Sequence, residues 1–92
     1  MKSTYTLRSE EKLRNGLNNL NPRGEYVLYG NGVRDRSFKK SKRQVSSCKE
    51  LLDIVAPHGE SVRVEEVYEG HGDCSEIQLN IGHDSYRVLP LR

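Results

Sequence analysis

The chain has 92 residues, with 15 Lys/Arg against 13 Asp/Glu for a formal charge of +2, and it is 34% hydrophobic and 30% charged. That composition suits one small domain with a single thin core. It argues against a deep, enclosed active-site cavity, because so short a chain buries only roughly two-thirds of its unfolded surface. No apolar run approaches the roughly 20 residues of a membrane span, and Met1-Lys2-Ser3-Thr4-Tyr5 lacks the apolar core of a signal peptide. A cytoplasmic setting is therefore expected, and Cys48 and Cys74, which form no CxxC pair, are expected there as free thiols.

Residues 4–8 alternate weakly and read as a short first strand or an extended lead into a helix. Ser9 is a good N-cap, with Glu10 and Glu11 where the helix dipole favours negative charge. Leu13, Leu17 and Leu20 follow at i, i+4 and i+7 and give one narrow apolar face. Gly16 costs about 1 kcal/mol relative to Ala inside this helix, so packing must hold it. Asn18, Asn19 and Asn21 weaken its last turn, and Pro22 ends it. Residues 25–29 read as a strand. Gly30-Asn31-Gly32 can supply positive φ for a tight turn, and residues 33–38 are the expected returning strand. Ser47-Cys48-Lys49-Glu50 fits a capping box ahead of Leu51-Leu52-Asp53-Ile54-Val55, so a second helix is expected from Cys48 to about Val55, stopping before Pro57.

The remainder reads as strands. Residues 61–69 carry Val62, Val64, Val67 and Tyr68, with a slip in alternation between Glu65 and Glu66 that suggests a bulge. Residues 76–82 alternate cleanly, with Ile77, Leu79 and Ile81 inward. Residues 85–91 form a last strand, which Pro90 marks as an edge or terminates. The expected fold is a single α+β domain over residues 1–92, an antiparallel sheet of four to five strands with two short helices packed on it. Tyr26, Leu28, Leu51, Ile54, Val55, Val64, Ile77, Leu79 and Ile81 are its expected core.

Charge is unevenly placed. Residues 34–43 hold six cations (Arg34, Arg36, Lys39, Lys40, Lys42 and Arg43) against the single acid Asp35. Such a concentration attracts phosphate oxygens or an acidic protein surface. If residues 33–38 form a strand, Arg34, Arg36 and Phe38 share a face, on which a base can stack on the ring while phosphates meet the guanidinium groups. The plainer readings are a solvated loop for the cations and a core plug for Phe38. Residues 60–76 reverse the sign, with Glu60, Glu65, Glu66, Glu69, Asp73 and Glu76 against Arg63.

Signals for chemistry are sparse. His71 and Cys74 make one i, i+3 pair, but a zinc site needs four ligands and no second pair exists. Cys48, at a helix start beside Lys49, sits where a thiol pKa can fall, although a small residue tolerated in a first turn is the commoner explanation. His58, His71 and His83 all adjoin glycine, as loop histidines do. No catalytic residue, metal or cofactor is expected. One enzymatic alternative is a small ribonuclease toxin, because Tyr86-Arg87-Val88 resembles the late Tyr/Arg-bearing strand of RelE-like nucleases. The two-helix N-terminal hairpin of that family is missing here.

Three features together carry another resemblance: Met1-Lys2-Ser3-Thr4-Tyr5-Thr6-Leu7 running straight into a helix, the basic residues 34–43 leaving a hairpin, and Tyr/Val-rich strands after Pro57. In these, and in its short solitary domain, the chain resembles phage-encoded anti-CRISPR proteins, most of all the small α+β inhibitors of the type I-F surveillance complex. The resemblance spans the chain but contains no specific motif, and no residue role carries over from it. It implies a monomeric, non-enzymatic inhibitor acting in the host bacterial cytoplasm. Such a protein docks on Cas proteins beside the guide RNA and stops target DNA from binding or pairing. Arg34, Arg36, Phe38, Lys39, Lys40, Lys42 and Arg43 are the expected contact residues on charge grounds alone. A small phage nucleic-acid-binding protein is the remaining alternative.

Overall fold

A computed structural model of the chain describes residues 1–30, 42–70 and 72–91. The elements run β1 (Lys2–Thr6), α1 (Glu10–Leu20), β2 (Tyr26–Tyr29), β3 (Arg43–Val45), α2 (Cys48–Val55), β4 (Arg63–Glu69), β5 (Asp73–Ile81) and β6 (Asp84–Pro90). They build one α+β domain around a six-stranded antiparallel sheet in the order β1-β4-β5-β6-β2-β3. Among the described residues the sheet therefore has six strands rather than four to five. β4, β5 and β6 form a meander, β1 closes one edge, and the β2–β3 hairpin closes the other. The expected strand over residues 33–38 lies outside the described residues. The strand that pairs with β2 is Arg43–Val45, with Tyr26 opposite Val45 and Leu28 opposite Arg43.

Local chemistry accounts for the helix ends. Ser9 caps α1, its Oγ accepting from the Glu11 amide at 3.2 Å, and Glu10 and Glu11 occupy the first turn. At the other end Asn21 does more than weaken the turn. Its N–H reaches the Leu17 carbonyl at 2.9 Å, its side-chain amide donates to the Glu25 carbonyl at 2.6 Å, and its Oδ1 accepts from the Arg23 amide. One short side chain thus ends the helix and braces the chain's return into β2. Ser47 caps α2 by accepting from the Glu50 amide at 3.1 Å. The reciprocal arm of the box goes one residue further back, where Glu50 accepts from the amide and hydroxyl of Ser46.

Both helices cover one face of the sheet. Leu13, Leu17 and Leu20 of α1 and Leu51 and Val55 of α2 pack with Tyr26, Leu28, Val45, Val62, Val64, Ile77, Leu79, Ile81, Tyr86 and Val88. Ile77, Leu79 and Ile81 point inward together as their alternation requires, whereas Ile54 is only half-buried. Emptying a fully buried leucine such as Leu13 or Leu51 would cost about 2–5 kcal/mol, which is large against the stability of so small a domain.

One strand detail differs from expectation. The register shift lies between Val67 and Tyr68, not between Glu65 and Glu66. Val62, Val64 and Glu66 keep one inward alternation, and the apparent slip arises because an acid takes an inward position. Of the two readings of Pro90, an edge or a strand end, the second holds, because β6 lies between β5 and β2. Pro90 is its last residue, and the Leu91 amide carries the ladder one step on by donating to the Glu25 carbonyl. Among the described residues, no helix is long and apolar enough to cross a membrane.

Candidate functional site

Of the seven expected contact residues, Arg34, Arg36, Phe38, Lys39 and Lys40 lie outside the described residues. Lys42 and Arg43 are described, and both are exposed at the β3 edge. The ladder separates them. Arg43 pairs with Leu28 and shares the helix-side face with Val45, while Lys42 lines a groove on the opposite, open face. The two cations therefore straddle the edge strand.

The open face is organised by register. Thr4, Glu65, Gln78, Arg87 and Tyr29 form a row across five strands, each opposite the next. Beside it Leu89, Val27 and Gln44 form a second row. Where the rows meet the β2–β3 edge, Val27, Tyr29, Lys42, Ser75, Leu89, Pro90 and Leu91 line a groove of about 380 Å³. Its floor is apolar: Val27 is 4% exposed although it lies on the open face. Ser75 belongs to the bulge that lets Cys74 and Glu76 oppose Tyr68 and Val67, and its hydroxyl donates to the Val67 carbonyl at 3.3 Å.

Three of the six acids in residues 60–76 find side-chain partners within the molecule, while Glu60, Glu69 and Asp73 are exposed. Arg87 donates to both oxygens of Glu76 at 2.9 and 3.2 Å, and Gln78 adds a third bond. Burial alone would push the Glu76 carboxyl up, but the hydrogen bonds from Arg87 and Gln78 outweigh it and hold the carboxyl below its ordinary value. Lys2 stands 4.0 Å from Glu65 across the outer ladder. Glu66 is not on the surface at all. It is 6% exposed, and its carboxylate accepts from the Tyr5 hydroxyl at 2.5 Å and from the Tyr68 hydroxyl. Above it runs Gly16 of α1, where an added Cβ would sit 2.7 Å from Oε2. Sequence reasoning missed this cluster. Its only local sign was the glycine in mid-helix, since Tyr5, Gly16, Glu66 and Tyr68 come from three elements.

Neither cysteine is activated, contrary to what the helix-start position of Cys48 suggests. Cys48 lines a groove of about 480 Å³ between α1 and the start of α2, together with Glu10, Arg14, Tyr26 and Lys49. Burial and then the nearby Glu10 push its thiol up to about 11, against a smaller opposing effect of Arg14. Cys74 is likewise pushed up to about 11, first by burial and then by Glu66. Both are protonated at neutral pH. His71 lies outside the described residues. Among the described residues, no group of three or more His, Cys, Asp and Glu side chains is placed to hold a metal ion. Tyr86 is buried in the core, while Arg87 lies on the open face beside Glu76, so the pair behind the nuclease resemblance does not converge on one site. Compared with protein-family models, curated proteins and solved structures, the chain shows no match.

Proposed function

We propose that this chain is a binding protein rather than an enzyme, docking through its basic residues 34–43 onto a nucleic-acid-bearing protein assembly. In the form its anti-CRISPR resemblance implies, it inhibits a CRISPR surveillance complex by occupying the path of guide RNA or target DNA. The observation that carries the reading is the fate of the two charged stretches. Of the six acids in residues 60–76, Glu66 is inside the molecule, Glu76 is held by Arg87 and Glu65 faces Lys2. The two described members of the basic stretch, Lys42 and Arg43, are exposed at the sheet edge. Exposed cations at the sheet edge, in a stretch of six cations to one acid, favour phosphate or a carboxylate-lined channel as the partner surface.

The test is target capture by a guide-loaded type I-F complex, followed by gel shift with and without the protein. Exposed charges contribute singly only about 0–1 kcal/mol, so the variants are cumulative. Arg34, Arg36, Lys39 and Lys40 are changed together to Ala, and Glu60, Glu69 and Asp73 form the acidic counterpart. Wild type and the acidic variant should block target capture. The basic variant should not, and its binding should show a shallower salt slope with an unchanged circular dichroism spectrum. Inhibition that survives in the basic variant, or wild-type protein that leaves target capture untouched, overturns the reading. Binding of nucleic acid alone, with no effect on the complex, points to the simpler nucleic-acid-binding protein.

A further inference from the structure

We infer that the open-face groove at the β2–β3 edge is a base-stacking site for single-stranded RNA, with Tyr29 as the platform and Lys42 as a phosphate contact. The inference rests on the binding reading above and names the partner of the same edge. Tyr29 is half-buried and ends the cross-sheet row on the open face. Val27 and Leu89 supply the apolar bed beside its ring, and Lys42 rims the groove next to it. A half-buried aromatic on an apolar floor offers a π-face without having to be desolvated from scratch, and any base can stack on it. A sheet face suits this task because its side chains stand upright at fixed spacing.

Positive charge follows Tyr29 along the chain. Residues 31–41, with four Lys/Arg against one Asp, join Gly30 to Lys42, and the strand ends that flank them, Tyr29 and Lys42, both line the groove. Lys42 itself belongs to the most basic stretch of the chain, residues 34–43. An apolar protein segment would gain nothing from that charge, whereas a strand that pairs a flat base with each phosphate uses both features. Ser75 favours RNA. Its proton is given to the Val67 carbonyl, so its oxygen keeps acceptor capacity, and a ribose 2′-hydroxyl is a donor that deoxyribose lacks. Arg87, opposite Tyr29, donates to both oxygens of Glu76.

The experiment titrates the full chain into labelled oligouridine of about 12 nucleotides, within the span of single-strand sites, with the matching deoxy-oligonucleotide and an RNA duplex as parallel probes. Tyr29→Leu keeps apolar volume without a π-face and should bind oligouridine about tenfold more weakly, while Tyr29→Phe should bind like wild type. Lys42→Ala should flatten the salt dependence by about 0.7 in logarithmic slope. Thermal melts establish that each variant is folded. The inference is overturned if wild-type protein leaves oligouridine unbound, if Tyr29→Leu binds as wild type does, or if DNA binds as tightly as RNA. It is also overturned if Tyr29 matters only for a nuclease-treated protein complex. Loss of RNA binding in Tyr29→Leu with intact complex inhibition separates this groove from the proposed function. Failure of the basic variant to lose inhibition sinks the latter on its own.

Discussion

Changing Gly16 to Ala would, in an ordinary exposed helix, stabilise the protein by about 1 kcal/mol through helix propensity. Here the opposite is expected. The new methyl carbon would lie 2.7 Å from Glu66 Oε2 and 2.9 Å from its Cδ, well inside contact distance. A carboxylate at the end of a flexible side chain normally swings aside at little cost. This one is buried, and each of its oxygens accepts a tyrosine hydroxyl, Tyr5 on one and Tyr68 on the other. Moving it breaks at least one hydrogen bond to a charged acceptor, worth about 1.5–3 kcal/mol, and holding it in place strains the helix by a similar amount, about 1–3 kcal/mol. After the propensity gain is subtracted, Gly16→Ala should destabilise by about 0.5–2 kcal/mol, lowering Tm by roughly 2–16 °C for a domain of this size. Urea denaturation and calorimetry of Gly16→Ala, Glu66→Ala and the double variant complete the cycle. With the carboxylate gone, the same Gly16→Ala change should become stabilising by about 1 kcal/mol. A single Gly16→Ala variant that melts above wild type would refute the placement of Glu66 beneath the helix.

The thiols should be silent in the native state: a disulfide reagent at pH 8 should react slowly with Cys48 and Cys74 and fast once the chain is unfolded, and prompt labelling of either would contradict their burial. Stability should fall as pH rises from about 9 through 11, because the thiols ionise near 9 when unfolded and near 11 when folded, so the unfolded chain binds fewer protons in that window. Tyr5 extends the decline above pH 10, since burial and then Glu66 hold its phenol protonated beyond the ordinary range; Tyr5→Phe should blunt that later part while costing about 1.5–3 kcal/mol near neutrality through the lost bond. At the acid end Glu76 has a folded pKa below its ordinary value, so it contributes stability above about 4.5 that is lost as pH falls. Glu76→Gln should therefore flatten the acid limb of a pH–stability curve, and an unchanged limb would show that the Arg87 pair is not formed.

The chain's local grammar is legible in the sequence. Ser9, Ser47, Pro22 and Pro57 mark helix ends because caps and ring constraints act over a few residues, and Leu13-Leu17-Leu20 and Ile77-Leu79-Ile81 declare their faces through periods set by backbone geometry alone. Pairing over long separations is not legible there. That β6 lies inside the sheet despite Pro90, and that β1 joins β4, depend on which edges remain open once the meander has formed. Glu66 is the clearest case. As a letter it is one acid in an acidic run, and it reads as a break in alternation. Only the approach of Tyr5 from β1, Tyr68 beyond the bulge and the missing side chain at Gly16 makes an inward carboxylate tolerable. The site follows the same division: the positive charge of residues 34–43 is written in the sequence, but the division of Lys42 and Arg43 between opposite faces, and the groove in which Tyr29 meets Lys42, come from strand register. Burial and register join residues distant along the chain, and no local pattern encodes which partners will satisfy a buried charge.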